Sequence, residues 1–166
     1  MKIGVLSDTH LYEVTPEFTD AVEKHFGDVD AVIHAGDTVA YAVYNYLEQF
    51  PLYAVAGNMD SPTLKELLKT KISFKVNGVR VGVIHGWGIS HPIEENILKE
   101  FPDTKLIVYG HTHRPLIKNL PDGRLLFNPG SFRGSQPNFP PSIGLIEING
   151  QSRVSAEIIY LTDRGK

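Results

Sequence analysis

Ile3-Gly4-Val5-Leu6-Ser7-Asp8-Thr9-His10 is a short apolar run that ends abruptly in a carboxylate and an imidazole two residues apart. The same pattern returns along the chain. Ala31 to Ile33 leads to Gly36-Asp37, Leu52 to Val55 to Gly57-Asn58, Val79 to Ile84 to His85-Gly86, and Leu106 to Tyr109 to Gly110-His111-Thr112-His113. Runs of this length, rich in β-branched residues and bounded by glycine and polar side chains, predict strands. A sheet that brings their carboxyl ends together places the polar clusters side by side along one edge.

Between these strands the apolar period changes from two to 3.6, which predicts helices and a βαβ arrangement. Thr15-Pro16 is an N-cap followed by a first-turn proline, after which Phe18, Ala21, Val22, His25 and Phe26 share one helical face. A second helix is expected from about Val39 to Phe50, with Val39, Val43, Tyr46, Leu47 and Phe50 facing the core, and a short third from Thr63 to Leu68, burying Leu64, Leu67 and Leu68. A fourth, Pro92 to Phe101, carries Ile93, Ile97, Leu98 and Phe101 and is stopped by Pro102. Asn77-Gly78, Asp122-Gly123 and Asn149-Gly150 then separate extended runs as tight hairpins do, so the last third is read as mostly antiparallel. With no repeat, linker or low-complexity segment, residues 1–166 are read as one α/β domain, a two-sheet core flanked by helices.

Composition narrows the function. A chain of 166 residues with 42% apolar and 21% charged residues builds one sizeable core. There is no cysteine, which excludes a disulfide scaffold, a thiolate metal site and a cysteine nucleophile. The first strand begins at Lys2 and no apolar run approaches the ~20 residues that span a bilayer, so no membrane association and a cytoplasmic location are expected. Sixteen Lys and Arg against nineteen Asp and Glu disfavour long nucleic acid as a partner. Tyr41, Tyr44, Phe132 and Phe139 are candidates for rim contacts, and a homo-oligomer is compatible with them.

Asp8, His10, Asp37, Asn58, His85, His111 and His113 supply carboxylate, amide and imidazole donors suited to divalent transition metals. Asp8 and His10, two apart on an extended segment, are expected to point to the same side and grip one cation, and His111 and His113 repeat that spacing. A carboxylate has two oxygens and bridges two cations, which makes Asp37 the best shared ligand. His34, in a buried-strand pattern, reads as a satisfied core histidine, and His25 carries no assigned role. His91 either starts a helix or leans toward the pocket.

The order D-x-H, G-D, G-N-x-D, H-G and G-H-T-H resembles the calcineurin-like metallophosphoesterase superfamily over nearly the whole chain. Asn128-Pro129-Gly130-Ser131 and the absence of any insertion make it similar in particular to the small single-domain prokaryotic phosphodiesterases of that superfamily, with the eukaryotic retromer subunit as a look-alike on the same fold. The resemblance implies a four-layer α/β/β/α sandwich and two divalent metal ions. Manganese comes first, with nickel, iron, cobalt and zinc compatible. One ion would take Asp8, His10, Asp37 and His113, the other Asp37, Asn58, His85 and His111. It implies hydrolysis of a small phosphodiester by a metal-activated hydroxide, with Asp37, Asn58 and His85 at the centre of the chemistry. A non-catalytic scaffold that binds a protein partner is the alternative.

Two positions depart from the family pattern. Met59 stands where superfamily members often have His, and Trp87 stands where many relatives continue His-Gly with a second His. A thioether cannot protonate a leaving oxygen, so activated or diester substrates are expected. Asp60 is read either as a cap of the following turn or as a brace for His85 or His111. Asn128 and Ser131 are expected beside the ligands, Trp87 with its indole beside the metals or the substrate, and Arg133 either on a phosphate or in water.

Overall fold

The computed structural model describes residues 1–135 and 137–161 and contains ten strands and four helices among them. Position 136, inside the loop from Phe132 to Pro141, and the last five residues of the domain expected over 1–166 lie outside the described residues.

Strands β1 (Lys2–Leu6), β2 (Ala31–His34), β3 (Leu52–Ala54), β9 (Ser142–Ile148) and β10 (Val154–Tyr160) form one sheet in the order β10-β9-β1-β2-β3. The other sheet, ordered β4-β5-β6-β8-β7, contains β4 (Lys71–Val76), β5 (Val79–Ile84), β6 (Leu106–Tyr109), β7 (Leu116–Asn119) and β8 (Leu125–Asn128). The motif-bearing strands are therefore divided between two sheets and do not share one edge, which corrects the single-edge expectation. The physical reason is that each sheet is apolar on both faces. Ile3, Val5 and Ile33 of the first sheet meet Val81, Val83, Leu106, Val108 and Phe127 of the second in a common core.

The alternate residues point outward to helices. Leu6 and Val32 pack under α1 (Pro16–Phe26) and α2 (Tyr41–Leu47), against Phe18, Val22, Phe26, Val43 and Leu47. On the opposite side Ile84, Ile107, Tyr109 and Leu126 pack under α4 (Ile93–Glu100), against Ile97 and Phe101. The layers are thus α/β/β/α, and strands buried on both faces read as continuous apolar runs. Burying each large side chain in these layers contributes roughly 1.5–3 kcal/mol. At the margin of the sandwich, Tyr53 of β3 stacks on Phe74 of β4, ring centroids 3.7 Å apart.

Several local expectations change. Thr15 caps α1 as expected, accepting the Phe18 N–H at 3.3 Å, but α2 begins at Tyr41, not Val39. Val39 has φ +77°, outside the helical region, because its N–H is held by Asp60. Helix α3 (Pro62–Leu67) buries only Leu64, and Leu67 is exposed, since six residues turn a single position to the core. Phe132 is buried against the edge of Phe18 at 5.2 Å, so it is a core residue and not a rim residue. Asn77-Gly78 turns β4 into β5 with φ +47° and +82°, as a tight hairpin requires. The last third pairs antiparallel except that β8 lies parallel to β6.

That topology positions the site. β1, β2 and β3 run parallel, as do β5, β6 and β8, so two sets of three carboxyl ends face each other across the sandwich.

Candidate metal centre

Asp8, Asp37 and Asn58 leave the first sheet, and His85, His111 and His113 leave the second. The exits are not extended. Asp8, His10, Asp37, His111 and His113 have φ of +51°, +48°, +57°, +66° and +56°. Left-handed backbone is uncommon for side chains of this kind and costs free energy, and such strain is typical of sites where the surroundings fix a side chain's aim. The Asp-x-His pairs therefore converge through a strained turn and not through the two-residue repeat of a strand.

The surroundings do fix it. Asp8 Oδ2 accepts from Ser7 Oγ at 2.5 Å and from the His111 N–H at 3.0 Å. Asp37 Oδ1 accepts the Met59 N–H at 2.7 Å. Each carboxylate thus spends one oxygen on a neighbouring loop and turns the other to the cluster. Asp8 Oδ1 lies 3.2 Å from His113 Nε2, 3.8 Å from His10 Nε2 and 4.0 Å from His85 Nε2. Asp37 Oδ2 lies 3.3 Å from His85 Nε2 and 3.7 Å from His10 Nε2. His85 Nδ1 donates to the Ala35 carbonyl at 2.8 Å, which aims Nε2 into the cluster, 3.1 Å from the Asn58 amide oxygen. The acids are buried and the imidazoles of His10, His111 and His113 are half-buried on the solvent side.

Two donor groups close enough for one cation each emerge, Asp8 with His10 and His113, and Asp8 with Asp37 and His85. His111 belongs to neither and stands edge to face with His85 at 5.2 Å. Asp8 Oδ1 is buried with no hydrogen-bond partner among the described residues. An orphaned buried carboxylate oxygen is costly, and a cation is what offsets that cost. The donor set fits divalent metals on this ground.

Protonation follows the same geometry. Burial lowers the pKa of His10, and burial with the His85 charge lowers that of His111, which favours the neutral imidazole in both. The Asp8 carboxylate, with Oδ1 3.2 Å from His113 Nε2, raises the pKa of His113. Burial pushes His85 down and Asp37 up, but their mutual hydrogen bond and charge, with Asp8 and the Met59 N–H, reverse both shifts.

Asp60 braces neither His85 nor His111. Its Oδ2 accepts from Gly57 N–H at 2.6 Å and Asp37 N–H at 3.2 Å, and its Oδ1 from Val39 N–H at 2.6 Å. It ties the Asp37 loop to the Asn58 loop, where Gly57 has no room for a Cβ beside the Asp37 carboxylate. Asp60→Ala leaves these buried N–H groups unpaired and is expected to cost about 3 kcal/mol of stability and roughly 10–100-fold in metal affinity, measured by denaturant unfolding and by metal titration. Asn128 Nδ2 donates to the Gly110 carbonyl at 3.0 Å and to Thr112 Oγ1 at 3.1 Å, and Ser131 Oγ donates to the Asp8 carbonyl at 2.8 Å. Both hold ligand-bearing loops. Arg133 is exposed with no ion-pair partner among the described residues, and Trp87 is exposed beside Gly86. His91 lies outside the cluster, in the wall of a separate cavity with Arg114 and Lys118. Ser7 was not foreseen, because nothing in a sequence tells whether a hydroxyl will turn to its neighbour's carboxylate.

His34 is a core histidine, its ring nitrogens 3.2 Å from Thr9 Oγ1 and 3.1 Å from Thr38 Oγ1. Burial pushes its pKa down to about 4. The unfolded chain then binds the extra proton between pH 6.5 and 4, so stability falls as pH drops through that window, by about 2 kcal/mol at pH 5. Unfolding of chelator-treated protein at pH 7 and pH 5 is expected to show this loss, reduced in His34→Gln.

The calcineurin-like phosphoesterase superfamily domain matches residues 1–151. The chain belongs to this superfamily. It is 36% identical over 168 residues to a probable metallophosphoesterase of Methanothermobacter thermautotrophicus, covering 96% of this chain and 92% of that protein. It is 33% identical over 162 residues to a phosphodiesterase of Methanocaldococcus jannaschii, covering 89% and 93%. Vps29 of Chaetomium thermophilum superposes with a TM-score of 0.77 at 21% identity, covering 96% of this chain and 97% of that one, a likeness of fold alone. Membership makes the cluster of Asp8, His10, Asp37, His85 and His113 a candidate phosphoesterase metal site. Among the described residues no helix is long and apolar enough to cross a membrane.

Proposed function

We propose that the chain is a single-domain, dinuclear-metal-dependent phosphodiesterase acting on small phosphodiesters in the cytoplasm. The observation that carries this is the buried Asp8 Oδ1, which accepts no hydrogen bond among the described residues and faces converging imidazoles and the Asp37 carboxylate. Asp8, His10, Asp37 and His113 would hold one ion, and Asp37, Asn58, His85 and His111 the other, manganese first among nickel, iron, cobalt and zinc. Asp37 Oδ2, 3.7 Å from His10 Nε2 and 3.3 Å from His85 Nε2, supports Asp37 as a shared ligand, and Asp8 is the carboxylate common to both donor groups. Such a pair supplies, when bound, a water of lowered pKa and neutralisation of charge on the phosphate oxygens.

The residues of the chain do the rest. Ala35 fixes the His85 tautomer, Met59 N–H fixes the Asp37 carboxylate, and Asp60 and Ser131 hold the strained loops. Half-buried imidazoles leave the open side of the cluster to substrate. The related phosphodiesterase of M. jannaschii supports the diester class.

Metal-stripped protein given an aryl phosphodiester and the matching monoester, with manganese, nickel, zinc or magnesium added back, tests the reading. Metal-dependent turnover favouring the diester is expected. No turnover with any metal would favour the scaffold that binds a protein partner.

A further inference from the structure

Gly86-Trp87-Gly88 carries an indole away from the body of the protein. Trp87 is 65% exposed, belongs to none of the core clusters, and is flanked by glycines with φ +101° and +78°. A lone exposed aromatic needs no explanation. This one lines a cavity of about 710 Å³ whose wall also includes Asn58 and His85 of the candidate metal centre. Ile89 adds apolar surface, and the volume lies in the range of small-molecule pockets. Charge favours an anion there. Lys71 is offset by Glu100 at 2.6 Å, whereas Lys65 donates to the Asn58 carbonyl at 2.7 Å and leaves the wall with a positive charge beside that candidate ligand.

We propose that this cavity seats a flat aromatic substituent of the phosphoester, of nucleobase or aryl type, against the Trp87 indole, making Trp87 the residue that sets substrate preference. The inference rests on the phosphodiesterase reading, because the phosphate must sit at the cluster for its substituent to reach the indole. Stacking on an aromatic side chain is worth on the order of tenfold or more in affinity and requires only a π face.

Trp87 is the single tryptophan of the chain, so intrinsic fluorescence reports on it alone. Metal-loaded protein is titrated with adenosine 5′-monophosphate, phenyl phosphate and ribose 5-phosphate. At least one aromatic ligand is expected to quench the indole and to bind on the order of tenfold more tightly than ribose 5-phosphate. Tighter adenosine monophosphate assigns the seat to a nucleobase, and tighter phenyl phosphate to a simple aryl group. By calorimetry, Trp87→Leu is expected to bring the aromatic ligands to the affinity of ribose 5-phosphate, and Trp87→Phe to keep most of the difference. Equal affinity for all three ligands, or an unchanged preference in Trp87→Leu, overturns the proposal. Bis(p-nitrophenyl) phosphate turnover by the same samples separates the two readings. Turnover without aromatic preference sinks the seat alone, and aromatic preference without turnover supports the seat and contradicts the phosphodiesterase.

Discussion

Asp37→Asn is expected to lower metal-dependent diester turnover by on the order of 10³-fold or more while the fold stays in place. The two carboxylate oxygens do different things. Oδ1 accepts the Met59 N–H at 2.7 Å, a bond that an amide oxygen keeps. Oδ2 sits 3.3 Å from His85 Nε2 and 3.7 Å from His10 Nε2, and there asparagine places an uncharged NH₂ donor. The charge and the lone pairs proposed for a shared ligand are lost together. Thermal unfolding close to wild type with kcat/KM reduced a thousandfold is the expected pair of results. Loss of less than tenfold would remove Asp37 from the centre of the chemistry.

Alkyl phosphodiesters are expected to turn over more slowly than aryl ones by a further 10²- to 10⁴-fold, roughly the contribution of a general acid. An aryloxide leaves without a proton, whereas an alkoxide needs one, and the thioether of Met59 has none to give. Met59 is 53% exposed, in a loop whose backbone touches Asp37, so a histidine of similar volume fits there without entering the core. Met59→His is expected to raise alkyl diester turnover by about ten- to a hundredfold with little change for aryl substrates. A leaving-group series on both proteins measures this, and a flat series for the natural chain would mean that another group donates the proton.

The strands were legible where they are buried on both faces. Val79 to Ile84 and Leu106 to Tyr109 coincide with β5 and β6, because a strand sandwiched between core and helix has no polar face to blur the run. Of the edge strands, β4, β7 and β10 were not delimited. Lys71 to Val76 alternates exposed and covered residues, and only the Asn77-Gly78 turn points to it as the partner of β5. The start of α2 was misplaced because Val39 is shaped by Asp60, twenty-one residues away, and no local propensity records that bond. The convergence of Asp8, Asp37, His85 and His113 was legible from motif order, whereas the left-handed turns that aim them, and the division of those motifs between two sheets, arise only from tertiary packing.

The most direct test of the central claim is anomalous diffraction from crystals grown with manganese. Two anomalous peaks per chain are expected, roughly 3.5–4 Å apart, with Asp37 reaching both and Asp8, His10 and His113 around one of them. A single peak, or ions bound away from Asp8 and Asp37, would contradict it.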